Sequence, residues 1–350
     1  MPEYYLTHVG GLEDIVRAEV AERLPEAHVT GAEYGRLHLD FASEPTRLLD
    51  LRTVENVYVR VLAIPDVSPD TTWLDELERV LAHTDLSPAL DVRARVKPLP
   101  PSPTFRVTAE RVGQHDFRSP EIAGAAGAGL VTGMGFGVDL KGFDIEVRVD
   151  VRDNTALVGM RLSERALHRR SRVVHPRVAL NPTVAAAMVR LSRPQPGELV
   201  VDPTVGSGTL LTERHAHDPR VRLIGGDRFP EKLALARENF AALEVPAELV
   251  QWDASRLPLG DETVDVFLLN PPWGRLVASH SINERLYPWM LRHLRRCLKP
   301  GGRVVMLTSE RALVRAFRRS HPDMRQVMQQ RLTVGGLAPS LHVLEKRLEG

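Results

Sequence analysis

Four residues after an apolar run are of the right types and order to do chemistry. In VDVFLLNPPWGRL, Asn270, Pro271, Pro272 and Trp273 follow directly on a strand-like stretch. Two successive prolines hold the backbone extended and offer no N–H donors, so carbonyls are the available groups. The Asn270 side-chain oxygen and the Pro271 carbonyl can both accept from one amino group. Trp273 adds a flat face for a planar base, an interaction worth roughly 1–3 kcal/mol per base. Such a set fits an exocyclic amine on a conjugated ring. As a plain turn Asn-Pro-Pro-Trp would be unremarkable; its position at the end of the fourth of a series of strands favours the functional reading.

Three aspartates precede it. In LVVDPTVGSGTLLTE, Asp202 ends an apolar run, and Gly206 and Gly208 open a helix-like segment. Glycines let a backbone turn tightly and approach a ligand without a β-carbon in the way. Leu211 stands where a dinucleotide fingerprint wants a third glycine, and no lysine follows Gly208, so a phosphate-binding P-loop is excluded. Asp227, in GGDRF, is placed to accept from both hydroxyls of a ribose, and Asp253, in QWDASRLP, to lie beside the base. Any one of these aspartates alone could be a helix cap, and the glycine pair alone a turn. Three aspartates at successive strand ends with a glycine loop at the first make a nucleoside-binding constellation.

The elements that must carry these residues form a long βα alternation from about residue 176. LVVDP, RLIGGD, ELVQWD, VDVFLLN and RVVMLT are apolar strands, separated by helical LLTERHA, EKLALARENFAAL and ERLYPWMLRHLRRCL. This is the pattern of a doubly wound parallel sheet. The tail gives two more strands joined by a turn, so an antiparallel hairpin is expected to finish the sheet. Residues 1–65 alternate β-α-β-β-α-β, the ferredoxin-like arrangement. Residues 66–160 form a second α+β unit, in which WLDELERVLAH is an amphipathic helix. There SPEIAGAAGAGLVTGMG is a helix of small residues packed close to a neighbour, with Ser119 as its cap. Residues 161–175 read as a basic linker, and 176–350 as the catalytic domain.

Composition narrows the class. With 46 lysines and arginines against 45 aspartates and glutamates, the protein is not uniformly basic. The basic residues are clustered, six to three acidic over 91–118, six to one over 161–177 and five to one over 311–325. Such clusters are the footprint expected for a polyanion, although any one could be a solvated helix face. The single cysteine, Cys297, excludes disulfide frameworks and Cys-based zinc sites, and is expected to be a small buried hydrophobe. No apolar run reaches the ~20 residues that span a bilayer, and the N-terminus lacks signal-peptide order. A cytoplasmic, multi-domain protein, without a membrane or a metal, is expected.

DPTVGSGT, GGD, WDA, NPPW and LKPGGRVVM in this order resemble the S-adenosylmethionine-dependent Rossmann-fold methyltransferases that act on exocyclic amines. LHRRSRVVHPRVALNPTVAAAMVRL resembles the extra motif of their RNA-modifying branch, and TFRVTAERVGQHDFRSPEI with VDLKGFDIEVRVDV resembles a THUMP domain. Together they resemble the TrmN-type tRNA guanine-N2 methyltransferases, over nearly the whole chain. A departure is Thr204-Val205, where relatives often carry Phe-Cys.

The resemblance implies S-adenosyl-L-methionine as cofactor. Its methionine part would lie over Asp202, Thr204, Gly206, Ser207, Gly208 and Thr209, its ribose at Asp227 with Arg228 and Phe229, and its adenine beside Asp253 and Ala254. Asn181, Pro182 and Thr183 either close over the cofactor or simply start a helix. The resemblance further implies a tRNA substrate, a target guanine flipped onto Asn270, Pro271, Pro272 and Trp273, and position 6 of the acceptor stem. Arg106, Arg111, His115, Arg118, Arg169, Arg170 and Arg172 would grip the RNA. A monomer is expected. Other readings left open are an exocyclic-amine methyltransferase of ribosomal RNA or adenine N6, an NAD-dependent oxidoreductase, and a non-catalytic RNA-binding scaffold.

Overall fold

The computed structural model describes residues 1–170, 179–273 and 280–348. The chain divides into two compact units, Met1–His8 with Arg17–Leu167 and Val9–Val16 with His168–Gly350.

The first part of the chain runs β1 (Glu3–Thr7), α1 (Glu13–Arg23), β2 (His28–Glu33), β3 (Arg36–Asp40), a 3-10 helix (Pro45–Asp50) and β4 (Asn56–Ile64). Its strands lie in the order β2-β3-β1-β4, every neighbouring pair antiparallel, which is the expected ferredoxin-like order. The helix expected at LLDLRT is only the 3-10 helix, which buries Pro45 and Leu48. After it come α2 (Trp73–Ala82), α3 (Ser87–Val96), β5 (Thr104–Val112), α4 (Ser119–Met134), β6 (Gly137–Val138), β7 (Ile145–Arg152) and β8 (Thr155–Arg161). β8 pairs antiparallel with β4, from Tyr58 opposite Arg161 to Ile64 opposite Ala156. Strands on either side of residue 65 therefore share one eight-stranded sheet.

Helix α4 rests directly on α2. A β-carbon at Gly129 would lie 2.3 Å from the Glu78 carbonyl oxygen, and one at Gly133 2.9 Å from that of Ala82. The glycines that weaken this helix intrinsically are what let it approach. Its cap is Arg118, not Ser119, which is the first helical residue; the Glu121 carboxylate accepts from the Arg118 N–H at 2.8 Å.

The second unit carries α5 (Pro182–Leu191), β9 (Leu199–Asp202), α6 (Thr209–His217), β10 (Arg222–Asp227), α7 (Pro230–Ala242) and β11 (Ala247–Gln251). It continues with β12 (Val264–Leu269), α8 (His280–Cys297), β13 (Leu298–Thr308), α9 (Arg311–Ser320), β14 (Met324–Arg331) and β15 (Ser340–Lys346). The sheet order is β11-β10-β9-β12-β13-β15-β14, with β9 to β13 parallel and β14 and β15 forming the expected antiparallel end. Strand order reverses between β9 and β12, the point where open α/β sheets bind ligands. Under the sheet, Val201, Phe267, Leu269 and Met306 pack against Tyr287, Met290, Leu294 and the buried free Cys297. Among the described residues, no helix is long and apolar enough to cross a membrane.

Candidate active site

The carboxyl ends of β9, β10, β11 and β12 open into a cavity of about 460 Å³. Of the residues expected there, Asp202, Thr204, Gly206, Ser207, Thr209, Asp227, Arg228, Phe229, Asp253, Ala254, Asn270, Pro271, Pro272 and Trp273 all line it.

Its polar end is built on glycines. Gly206 and Gly208 turn with φ of 53° and 84°, where other residues are strained. A β-carbon at Gly208 would lie 2.4 Å from the Phe240 ring, so Gly208 shapes the loop although it does not line the cavity. The loop is pinned by the Val205 N–H to the Gly226 carbonyl (2.8 Å) and by the Asn239 side-chain amide to the Ser207 carbonyl (3.0 Å). At Gly226 a β-carbon would lie 1.9 Å from the Trp252 ring, whose N–H reaches the Pro203 carbonyl at 3.1 Å. Asn239 and Trp252 were not among the expected residues. The signals for them are a paired glycine inside a strand, which marks close approach, and an asparagine inside a helix.

The three carboxylates sit in different surroundings. Asp202 is buried and accepts from the Thr204 N–H at 3.0 Å. Burial pushes its carboxyl up to about 8, the negative charge of Asp227 adds to this, and the Thr204 bonds oppose it. The Asp227 oxygens accept from the Gly206 N–H (3.2 Å) and the Phe229 N–H (3.1 Å), leaving lone pairs on each. Asp253 accepts from the Ser255 hydroxyl and N–H at 2.7 and 2.8 Å, which hold its carboxyl below the usual range.

At the other end Trp273 donates its indole N–H to the Asn270 side-chain oxygen at 2.7 Å. Behind this loop the Tyr287 hydroxyl lies 3.3 Å from the Pro272 carbonyl and 2.6 Å from the Thr308 hydroxyl. Burial pushes Tyr287 well above the ordinary phenol range, so it stays neutral.

Asn181, Pro182 and Thr183 do not line the cavity. They start α5, with the Asn181 oxygen accepting from the Thr183 N–H and hydroxyl, both at 2.9 Å. Their predecessors Ala179 and Leu180, in the same motif, line it instead, as do Lys232, Ile282, Leu286 and Leu337, which belong to none of the motifs.

The expected RNA contacts are divided between the two units. In the first unit the Arg106 guanidinium pairs with Glu146 and lies over the Phe143 ring, 3.9 Å from its centre. Arg111 donates to the Gly113 carbonyl at 2.7 Å, the His115 ring meets the Asp153 carbonyl at 2.7 Å, and Arg118 is exposed. In the second unit Arg169 is exposed and Arg170 pairs with Glu213 at 3.4 Å. Arg172 lies outside the described residues.

The cavity fits S-adenosylmethionine. Gly206 leaves the wall without a side chain where a nucleoside must approach, Asp227 keeps acceptor capacity for ribose hydroxyls, and Phe229 and Ala254 offer apolar surface to a base. Asp202, a buried acid whose oxygen accepts from the neutral donors of Thr204, suits a ligand that brings positive charge.

Residues 169–339 match the RMKL-like methyltransferase domain and residues 92–161 the THUMP domain. The chain is 34% identical to the tRNA (guanine(6)-N2)-methyltransferase of Thermus thermophilus, over 96% of this chain and 97% of that one. It is 32% identical to bovine tRNA (guanine(6)-N(2))-methyltransferase THUMP3, over 69% of this chain and 51% of the relative. Its fold superposes on the crystal structure of TrmN from Thermus thermophilus with a TM-score of 0.81 and 32% identity, covering 99% and 100% of the two chains. The methyl donor is S-adenosylmethionine. With its catalytic sheet, its cofactor cradle and its THUMP module accounted for, the chain belongs to the TrmN-type THUMP-domain Rossmann-fold methyltransferases.

Proposed function

We propose that the protein methylates the N2 amine of a guanine in tRNA, at position 6 of the acceptor stem. The observation that carries this reading is one cavity holding both a glycine and aspartate cradle suited to a nucleoside and the Asn270–Trp273 loop. Support for the RNA and the position comes from relatives in Thermus thermophilus and Archaeoglobus fulgidus, both named tRNA (guanine(6)-N2)-methyltransferase.

S-adenosylmethionine supplies a methyl group on a positively charged sulfonium. The guanine amine is unreachable while the base is stacked, so the base is flipped out of the stem. The Asn270 oxygen has two lone pairs; one takes the Trp273 N–H and the other is left for the amine. The Pro271 carbonyl is the second acceptor, and the Trp273 ring gives the base a stacking face. Near-attack positioning supplies most of the rate, and the two oxygens stabilise the positive charge that develops on the amine. Asn270 is not a base, and the proton passes to solvent after transfer. The exposed Arg118 and Arg169 meet phosphates, which position the RNA without reading its sequence.

The test uses unmodified tRNA transcripts, S-adenosylmethionine and mass spectrometry of the digested nucleosides. N2-methylguanosine should form, and should vanish both with adenine at position 6 and with Asn270→Ala. Product that persists without a guanine at position 6 would move the target, and no product from any tRNA would refute the reading.

A further inference from the structure

The cavity has two characters. At the ends of β9, β10 and β11 its wall carries the ionisable side chains of Asp202, Asp227, Arg228, Lys232 and Asp253, with Phe229 and Ala254 as apolar cover. On the far side of β12 in the sheet, the lining residues are Ile282 and Leu286 of α8 and Leu337 of the β14–β15 turn. The Asn270–Trp273 loop follows β12 and so stands between the two. Leu337 is 47% exposed and Ile282 56% exposed, large apolar side chains left wet at the mouth of a cavity. Isolated exposed leucines need no explanation, but a contiguous apolar patch on a binding cavity marks a ligand surface.

Leu337 is not on a loose loop. Val334 and Leu337 exchange both backbone hydrogen bonds at 2.9 Å, closing a two-residue hairpin turn. Gly335 and Gly336 inside it have φ of 55° and 76°, the mirror-image turn that glycine favours. The arm below is fixed as well. Leu332 is fully buried and its N–H donates to the Pro339 carbonyl at 3.0 Å, while the Thr333 N–H donates to the Gly10 carbonyl at 3.1 Å. Gly11 presses so closely on this arm that a β-carbon there would lie 2.2 Å from the Arg331 carbonyl oxygen. Ile282 and Leu286 share one face of α8 at i, i+4 spacing, and Tyr287 and Asn283 hold that helix through Thr308 and Glu310. Rigid elements therefore present three apolar side chains beside the amine-binding loop.

We propose that Leu337, with Ile282 and Leu286, is the wall that holds the flipped purine base against the Asn270–Trp273 loop, so that Leu337 is a substrate-contacting residue. This rests on the functional reading above. The polar cradle takes the cofactor's nucleoside; the apolar side takes a second planar ring, whose edge amine meets Asn270 and Pro271 and whose faces need only apolar cover. Nothing in the wall hydrogen-bonds a base, so it sets the ring's position and leaves the choice of amine to the loop.

The test compares wild type, Leu337→Ala and Leu337→Met on full-length tRNA, with S-adenosylhomocysteine affinity measured by calorimetry. A 2-aminopurine placed at the target position reports flipping by its fluorescence. Leu337→Ala should lose at least about tenfold in kcat/KM, the scale of removing apolar groups from a specificity pocket. It should keep wild-type affinity for S-adenosylhomocysteine and lower the fluorescence gain on binding. Leu337→Met, which keeps the volume, should restore most of the loss. Leu337→Ala with unchanged kcat/KM, or with cofactor affinity falling in step, would overturn the wall's assignment. Wild-type enzyme that forms no N2-methylguanosine would overturn the functional reading itself, whatever the variants do.

Discussion

Asp202 is the residue whose chemistry is most changed by its place. Its carboxyl, pushed up to about 8 by burial and by Asp227, is protonated in most molecules at neutral pH. An unfolded aspartate titrates near 3.9, so between roughly pH 4 and 8 the folded chain binds the extra proton. The stability this contributes is complete below pH 4 and is lost as pH rises through 8. Asp202→Asn should therefore stabilise the ligand-free protein more at pH 9 than at pH 6, as thermal denaturation at the two pH values would show. Positive charge entering the cavity reverses the balance, because it favours the carboxylate. Calorimetry of S-adenosylmethionine binding at pH 7, in buffers of different ionisation enthalpy, should show proton release approaching one per site. The Asn variant should show none and bind more weakly. No release from wild type would mean that Asp202 does not face the cofactor's charge.

At the scale of elements, the Asn270–Trp273 loop is held by α8 and β13. The loop's prolines supply no N–H groups for anchoring, so the Pro272 carbonyl is tied down by Tyr287, which Thr308 orients at 2.6 Å. Tyr287→Phe keeps the packing and removes both bonds. It should cost about 1–2 kcal/mol in denaturant unfolding and lower kcat several-fold with little change in KM for tRNA; unchanged kcat would make Tyr287 a core residue only. Neither Tyr287 nor Leu337 was legible in the sequence, because each reaches the site through tertiary packing rather than through a motif. Asp202, Asp227, Asp253 and Asn270 were legible because each ends a strand or follows one within two residues, and topology alone puts strand ends together. Helix α3 was missed for a related reason: its buried positions, Ala89, Val92 and Arg93, are too small or too polar to give a period. Asn181 reads equally as a lid or a helix start in sequence; its oxygen accepts from Thr183 at the start of α5.

At the scale of the whole molecule, charge clustering does not reveal which arginines are already ion-paired within the protein. The arginines of the first unit's sheet are largely spent inside it. Arg36 bonds Asp150 at 2.6 Å, Arg148 bonds the same carboxylate at 2.7 Å, and Arg161 and Arg106 share Glu146. Those acids are buried, so each pair neutralises a charge the sheet could not otherwise hold. Sequence shows the arginines but not their partners, since Arg106 and Glu146 stand 40 residues apart and Arg36 and Asp150 114. The consequence is measurable. Arg118 and Arg169 are exposed. Removing one arginine that neutralises a phosphate should weaken tRNA binding and flatten the plot of log affinity against log salt by about one unit. Arg118→Ala and Arg169→Ala should each do this. Arg106→Ala should instead leave the slope near its wild-type value and lower the unfolding midpoint, because it strands Glu146 with one partner fewer. If Arg106→Ala flattened the slope as much as Arg118→Ala, its guanidinium would be reaching phosphate despite Glu146, and the division between structural and RNA-binding arginines would fail.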